Sequence, residues 1–214
     1  MRKKKLYLII GIISLFIIFI ILIMIISHRK ISEFYAIEAS LIVQHLKDGD
    51  IILRMGNGAL SQVFSNVSLT DKRFSHLGIV QIRDESITVI NSVGYLANRK
   101  KGVDEVSLEK FLEVAMSVGI FRIKYIDGAF ISDKAREYIG YPFDWNFDLS
   151  EDDNIYCTEL LYIVLKESGL EEILKTFYLD PVGKNIIPLE AITLSSFFDE
   201  ITYLDQSNVG YIIQ

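Results

Sequence analysis

The sequence has few residues of the types that form disulfides and metal sites. It contains one cysteine, Cys157, and three histidines among 214 residues. A single cysteine excludes an internal disulfide, so an exported part of this chain must be stabilised by its own hydrophobic core. One cysteine with scattered histidines matches no zinc-binding motif, and we predict neither a metal nor another cofactor. No internal repeat or proline-rich linker is present, which favours one globular domain.

Charge is absent from residues 6–27, a run of 22 residues. A helix of this length extends about 33 Å, enough to cross the apolar core of a bilayer. The run is longer than the roughly 7–15 apolar residues usual in a cleaved signal peptide. We therefore predict an uncleaved signal anchor that contacts the lipid bilayer through residues 6–27. An unusually long cleaved signal is the alternative.

The charges on either side of this run predict its orientation. Four basic residues at positions 2–5 precede it, while only Arg29 and Lys30 follow closely. The more positive side of a membrane span faces the cytoplasm. We therefore predict a cytoplasmic tail and transmembrane anchor over residues 1–30. Residues 31–214 then form an extracytoplasmic domain of a single-pass protein of the cell membrane.

The predicted domain is acidic. Residues 1–30 hold six of the 22 basic residues and no acidic one, which leaves 16 basic against 28 acidic residues and a net charge of −12. A domain with this charge is repelled by phosphate, so we predict no nucleic-acid partner. The same charge disfavours broad docking onto anionic lipid headgroups.

Hydrophobic periodicity predicts an α+β domain. Strand patterns occupy residues 51–53, 77–82, 87–92, 120–126, 197–204 and 209–213, and helical patterns occupy residues 31–47, 108–116, 134–139 and 171–178. Residues 183–193 are predicted as a loop and turn around Pro188. We expect an antiparallel sheet packed against helices.

A predicted hairpin brings two polar side chains close together. If its turn is centred on Asp84 and Glu85, residues whose numbers sum to about 169 lie opposite each other. His76 then faces the end of the return strand, and Asn91 occupies an adjacent or diagonal position. A slip of one residue would turn Asn91 to the other face of the sheet.

Cys157 stands where an acidic run ends and the apolar run 160–165 begins, with Gly169 after it. This pattern predicts a helix with Cys157 in its first turn. The positive end of the helix dipole favours the thiolate form. The alternative for a lone cysteine is a small buried hydrophobic residue.

A catalytic cysteine needs a base and a group that fixes the tautomer of that base. His76 is the best partner, because His28 abuts the predicted membrane span and His45 lies on the leading helical segment. Asn91 is the amide that can reach His76. We therefore predict Cys157, His76 and Asn91 as a catalytic set.

Four motifs carry a family resemblance: GDIIL at 49–53, SHLGIV at 75–80, YPFDWNFD at 141–148 and YCTELLY at 156–162. They resemble the YiiX/YebB-like group of permuted papain-fold amidases, a circularly permuted branch of the NlpC superfamily. The resemblance covers most of residues 48–198. In papain-like proteins the cysteine helix comes before the histidine strand, and here the order is reversed. The resemblance implies a circularly permuted papain-like (NlpC-type) fold.

The resemblance also implies roles for individual residues. Cys157 falls on the nucleophile and His76 on the base. Asn91 falls where the group commonly has a glutamate, so it can orient the imidazole but cannot stabilise imidazolium with a full charge. The Cys157 N–H and a second donor would bind the oxyanion. Tyr141 or Tyr156 could be that donor or a wall of the cleft, and core or rim packing is the alternative for both.

These observations predict a membrane-anchored thiol hydrolase, amidase-like or peptidase-like, of the cell envelope. Its substrate would be a peptide or amide bond of cell-wall material or a lipid-linked acyl group, because related permuted folds include lipid acyltransferases. Asp144 and Asp148 of the third motif are more typical of loop capping than of acid catalysis. The alternative function is a catalytically weak or inactive module that binds lipid or peptide at the membrane surface.

Overall fold

The computed structural model describes residues 37–94, 101–151, 153–180 and 183–206, together with Ile18, Phe19 and Leu22. The chain divides into two units, Met1–Ala36 and Ile37–Gln214. The three described residues of the first unit are helical and exposed. Most of the predicted membrane span and the predicted strand at 209–213 lie outside the described residues. Within the described ranges, no helix is long and apolar enough to cross a membrane.

An antiparallel sheet forms the centre of the second unit. Its strands are β1 (Ile51–Gly56), β2 (His76–Arg83), β3 (Ser86–Ser92), β4 (Val103–Ser107), β5 (Ala115–Ile123) and β8 (Phe198–Asp205). They are arranged in the order β4-β3-β2-β1-β5-β8, and each neighbouring pair is antiparallel. Strands β6 (Phe177–Leu179) and β7 (Lys184–Ile186) form a separate hairpin. The predicted α+β class with an antiparallel sheet is confirmed.

Short helices connect these strands. They are α1 (Ala59–Ser65), α2 (Leu108–Leu112), α3 (Gly128–Glu137), α4 (Cys157–Lys166) and α5 (Glu190–Thr193). Single 3-10 turns occupy Ala39–Leu41, Val43–His45 and Glu171–Ile173. The longest of these helices, α3 and α4, pack on the same side of the sheet.

Both faces of the sheet are buried. Side chains alternate between the faces along each strand. On one face Leu53 and Ile79 join a core with Ile131 of α3 and Leu161 of α4. On the other face Ile52, Val80 and Val89 join a core with Ile42 and Phe111. The central strands are therefore held from both sides, which fixes the positions of their ends.

The β2–β3 hairpin has the predicted register. Ile79 lies opposite Ile90, so paired residue numbers sum to 169 as expected. Asp84 and Glu85 form the turn with φ values of 46° and 65°. Positive φ at both central residues is typical of a type I′ turn. The twist of this turn matches the twist of the two strands that it joins.

Several predicted segments have a different structure. The described part of the leading helical segment forms two 3-10 turns, and residues 171–178 form a 3-10 turn and strand β6. The loop predicted around Pro188 contains β7 and α5. These segments are short, and their apolar spacing fits more than one conformation.

Two further differences have separate causes. Helix α3 begins at Gly128 rather than near residue 134, because the Asp127 side chain accepts a hydrogen bond from the Ala129 N–H and caps the helix. Strand β4 was not predicted. It is a five-residue edge strand whose sequence VDEVS is largely polar, and its pairing with β3 is a tertiary contact.

Gly49 precedes β1 with φ +74°, and a Cβ built on it would lie 2.1 Å from the carbonyl oxygen of Gly128. Gly169 has a nearly equal φ of +68°, but a Cβ there meets nothing within 4 Å. We expect Gly169→Ala to cost about 1 kcal/mol of unfolding free energy from backbone strain alone. Gly49→Ala should cost about 1–3 kcal/mol more, because the packed backbone must also move.

Urea denaturation of the two variants measures this difference. Equal losses of unfolding free energy would contradict the close approach of Gly49 and Gly128.

Candidate active site

Cys157 is the first residue of helix α4. The residue before it, Tyr156, has extended backbone, and its N–H donates to the Glu159 carboxylate at 3.0 Å. This side-chain cap starts the helix at Cys157. The predicted helix with the thiol in its first turn is therefore confirmed.

His76 is the first residue of β2, between Arg54 of β1 and the end of β3. Its Nε2 lies 2.9 Å from Oδ1 of Asn91, which is 2% exposed. The Asn91 Nδ2 group faces the carbonyl of Asp104 at 3.4 Å, which directs Oδ1 toward the imidazole. Because Oδ1 only accepts, Nε2 carries the hydrogen, and Nδ1 carries the lone pair of a base. The predicted contact between His76 and Asn91 is present.

Phe111 and Arg54 form the surroundings of this imidazole. The His76 ring stacks on Phe111 with 5.7 Å between centroids. The guanidinium of Arg54 lies over the same phenyl ring, 4.5 Å from its centroid, and donates to the Phe111 carbonyl. A cation therefore lies beside the histidine inside a largely apolar environment.

Cys157 and His76 line one cavity of about 600 Å³. The backbone of Leu77, which follows His76, hydrogen-bonds to the Cys157 sulfur. Asn91 stands behind the imidazole and is not part of the lining. The structure thus places Cys157 and His76 in the lining of one cavity and Asn91 against His76.

Burial controls the charge of this site. Burial raises the pKa of Cys157 to about 11, although backbone hydrogen bonds and the Arg54 charge act to lower it. Burial also lowers the pKa of His76 to about 3, Arg54 lowers it further, and the Asn91 hydrogen bond acts to raise it. Both side chains are half-buried, and both pKa shifts favour the uncharged forms, a neutral thiol and a neutral imidazole. The backbone N–H groups at the helix N-terminus lower the pKa of Cys157, as expected, but burial of the sulfur raises it by more.

The two tyrosines differ in position. Tyr156 lines the cavity, and its hydroxyl oxygen accepts a hydrogen bond from the Ile187 N–H at 3.2 Å. Burial raises the pKa of this phenol. Tyr141 does not reach the cavity, because its carbonyl accepts from the Val103 N–H at the sheet edge and its ring packs against Tyr138. Tyr156 is therefore a wall of the cleft, and Tyr141 lies on the rim of the domain.

The two aspartates of the third motif stabilise their own loop. Asp144 accepts from the backbone N–H groups of Asn146 and Asp148. Asp148 accepts from Ser150 and pairs with Lys184. Neither aspartate lines the cavity, so loop capping is their structural role.

Arg54 is the residue of the site that the sequence did not identify. It lines the cavity and contributes to the pKa of both Cys157 and His76. The sequence feature that could have identified Arg54 is its position as a basic residue directly after the buried run 51–53. Its proximity to His76 depends on the β1–β2 register, which pairs the two residues.

The order of the elements is that of a papain-like α+β fold in which the histidine strand precedes the cysteine helix. The model of the family described as permuted papain-like amidase enzyme, YaeF/YiiX, C92 family, matches residues 45–201. The match covers well over half of the chain, and the protein belongs to this family.

The chain is also similar to two proteins from Escherichia coli. The uncharacterized protein YiiX of strain K12 is 27% identical over 169 residues, which span 69% of this chain and 78% of that protein. The crystal structure of metalloprotein yiiX from strain O157:H7 matches with a TM-score of 0.62 and 17% identity. That match covers 74% of this chain and 97% of the solved one, and it shows the permuted papain-like fold.

The raised pKa of Cys157 predicts slow alkylation in the folded protein. Thiolate is the reactive form, so the iodoacetamide rate should increase with pH through about 11. At about pH 8 the native protein should react at least roughly tenfold more slowly than the protein unfolded in urea, whose thiol has an ordinary pKa.

Mass spectrometry of the single cysteine measures both rates. A native alkylation midpoint below that of the unfolded chain would contradict the neutral resting site.

Proposed function

We propose that this protein is a thiol hydrolase that cleaves an amide or ester bond through an acyl-enzyme. The observation that carries this proposal is the shared cavity, in which Cys157 begins a helix and His76 is fixed by Asn91. The family supports a papain-like cysteine amidase or peptidase.

Acylation begins with attack of the Cys157 sulfur on the substrate carbonyl carbon. As the S–C bond forms, the thiol proton moves to Nδ1 of His76 and the carbonyl oxygen becomes an oxyanion. Because both groups start neutral, proton transfer accompanies attack, and no isolated thiolate is left in the apolar cavity. The N–H of Cys157 at the helix N-terminus is one donor for the oxyanion, and the nearby Arg54 charge favours it.

Collapse of this intermediate releases the first product. The C–N or C–O bond breaks, and the His76 imidazolium returns its proton to the leaving amine or alcohol. Water then attacks the thioester while His76 accepts a proton from it. The C–S bond breaks, the proton returns to the sulfur, and the carboxylic acid leaves.

Asn91 influences these reaction steps through the imidazole of His76. Its side-chain oxygen holds the Nε2–H tautomer, which leaves Nδ1 as the base throughout. The family resemblance places a glutamate more commonly at this position. An amide oxygen carries a dipole but no full charge. It can therefore orient the imidazolium, but it stabilises the imidazolium less than a carboxylate would.

The proposed location is the outer face of the cell membrane. The uncharged run 6–27 and the basic residues at 2–5 support an anchor with its N-terminus in the cytoplasm. The hydrolase domain would then act on material of the cell envelope, either a cell-wall peptide or a lipid-linked acyl group.

The proposed mechanism uses the side chains of Cys157, His76 and Asn91. The solved E. coli relative is called a metalloprotein. In this chain, the described residues contain no group of three or more His, Cys, Asp or Glu side chains placed to hold a metal ion.

A second candidate is a binding module that uses the same cavity without catalysis. Two observations favour it: burial keeps the Cys157 thiol protonated, and an amide replaces the more usual carboxylate at Asn91. Such a module would bind lipid or peptide at the membrane surface.

Hydrolysis of p-nitrophenyl esters separates the two functions. Cys157→Ala and His76→Ala should each lower kcat/KM on the order of a thousandfold or more, because nucleophile and base act as a unit. Asn91→Ala should cause a smaller loss, since the base remains but loses its orientation. Asn185→Ala, at an exposed amide of β7, is the control and should leave the rate unchanged.

The pH profile adds a second criterion. Because the pKa of His76 is about 3, the imidazole is a neutral base above that pH. We expect kcat/KM not to fall as the pH decreases from about 8 to 5, the range in which an ordinary histidine becomes protonated. Hydrolysis that survives Cys157→Ala would contradict the proposed function.

A further inference from the structure

Glu190, the first residue of helix α5, is a buried carboxylate that does not line the cavity. Its Oε1 accepts a hydrogen bond from the Leu69 N–H at 2.9 Å. Its Oε2 accepts from the Thr70 N–H at 2.8 Å, from the Thr70 hydroxyl at 2.9 Å and from the Asp71 N–H at 3.3 Å. One side chain therefore binds three consecutive residues of the loop that precedes β2.

The charge of Glu190 strengthens this contact. Burial acts to raise the pKa of Glu190, but the hydrogen bonds from residues 69–71 lower it by more. The net shift favours the carboxylate, which accepts at both oxygens. Hydrogen bonds to a charged acceptor are roughly twice as strong as those between neutral groups. A change that removes the charge and keeps the shape of the side chain should therefore weaken the contact.

The segment directly before Glu190 binds both neighbours of the nucleophile. The Thr158 hydroxyl donates to the Ile187 carbonyl at 2.6 Å, and the Tyr156 hydroxyl accepts from the Ile187 N–H at 3.2 Å. Cys157 lies between these two residues at the start of α4. Residues 187–190 are therefore bonded at one end to the turn that carries the sulfur and at the other end to the loop 69–71.

The loop 69–71 is followed closely by the base. Phe74 and Ser75, the two residues before His76, are 1% and 5% exposed. The Ser75 N–H donates to the Arg54 carbonyl at 2.9 Å, which fixes the chain to β1 just before the imidazole. The position of the loop is thus tied to the position of His76 through buried residues.

We infer that Glu190 is a positioning residue of the active site, which holds the start of the nucleophile helix and the approach to the base strand at a fixed separation. It acts through Ile187 on one side and through the loop 69–71 on the other. Residues 187–189 and Val67 line the cavity beside the sulfur. Loss of the Glu190 contact should let these walls separate and let water reach Cys157. The consequence for catalysis rests on the proposed function, whereas the consequence for the thiol does not.

Iodoacetamide alkylation of Cys157 tests this role without requiring hydrolysis. Hydration of the sulfur should lower its raised pKa and increase the fraction of thiolate, which is the reactive form. Glu190→Gln keeps the shape of the side chain but replaces one acceptor oxygen with a donor. We expect this variant, as full-length folded protein at about pH 8, to react on the order of tenfold faster than the wild type.

Asp50→Asn is the matched control. Asp50 is also a buried carboxylate, and it accepts from the Lys47 N–H and pairs with Arg122. It precedes β1, whose opposite end lines the cavity. Its loss should lower the unfolding free energy without a change in the native alkylation rate. Urea denaturation gives the unfolding free energy of each variant, from which alkylation through global unfolding is calculated and subtracted.

Two substitutions of Thr70 test the same contact with a smaller loss of stability. Thr70→Val removes one of the hydrogen bonds to Glu190 and keeps the shape of the side chain. It should increase the corrected alkylation rate roughly threefold. Thr70→Ser keeps the hydroxyl and should keep the wild-type rate.

The kinetics of p-nitrophenyl ester hydrolysis give the consequence for catalysis. Glu190→Gln should lower kcat on the order of tenfold or more and change KM less, because small displacements of a nucleophile and its base slow the chemical step. Asp50→Asn should leave both constants near their wild-type values.

Equal corrected alkylation rates in the wild type, Glu190→Gln and Asp50→Asn would overturn the positioning role. An unchanged kcat in folded Glu190→Gln would overturn it as well. Faster alkylation of Glu190→Gln and Thr70→Val, together with no ester hydrolysis by the wild type, would instead reject the hydrolase and support Glu190 as the residue that holds the thiol in place.

Discussion

The hydrogen bond between His76 and Asn91 is the interaction on which the candidate site depends. It joins the first residue of β2 to the next-to-last residue of β3 at 2.9 Å. The bond exists because the tight turn at Asp84 and Glu85 fixes the hairpin register. A slip of one residue would remove Asn91 from this face and leave a buried imidazole without its acceptor. Register in one hairpin therefore determines which nitrogen of His76 can act as a base.

Burial then decides how this base and its nucleophile can react. Burial raises the pKa of Cys157 and lowers that of His76, which favours the uncharged thiol and imidazole, although the helix N-terminus and Arg54 favour an anion on sulfur. A charge-separated resting pair would need solvation that the apolar walls do not supply.

Sequence patterns predicted the parts of the site that depend on local structure. The hairpin register, the helix beginning at Cys157 and the contact between His76 and Asn91 follow from turn chemistry and hydrophobic periodicity. The permuted family order was visible in the motifs, and the family match agrees with it. Each of these features needs only neighbouring residues or one turn to be recognised.

Features that depend on tertiary contacts were not predictable in this way. Arg54 reaches His76 only through the β1–β2 pairing, and the cavity walls combine α1 with segments about 80 and 120 residues later. Tyr141 was expected near the cleft, but its backbone is bonded to Val103 at the edge of β4, a strand that was not predicted. The net direction of the Cys157 pKa shift was not predictable for the same reason, because burial depends on the assembled tertiary structure.

Trapping of an acyl-enzyme on Cys157 is the sharpest test of the proposed hydrolysis. Full-length protein is mixed with a p-nitrophenyl ester, quenched in acid and examined by mass spectrometry. We expect one acyl group on the peptide that contains Cys157. The adduct should be lost on treatment with hydroxylamine, which cleaves thioesters, and it should be absent in Cys157→Ala and greatly reduced in His76→Ala. An adduct on another residue, or ester turnover with no adduct on Cys157 at any time, would contradict it.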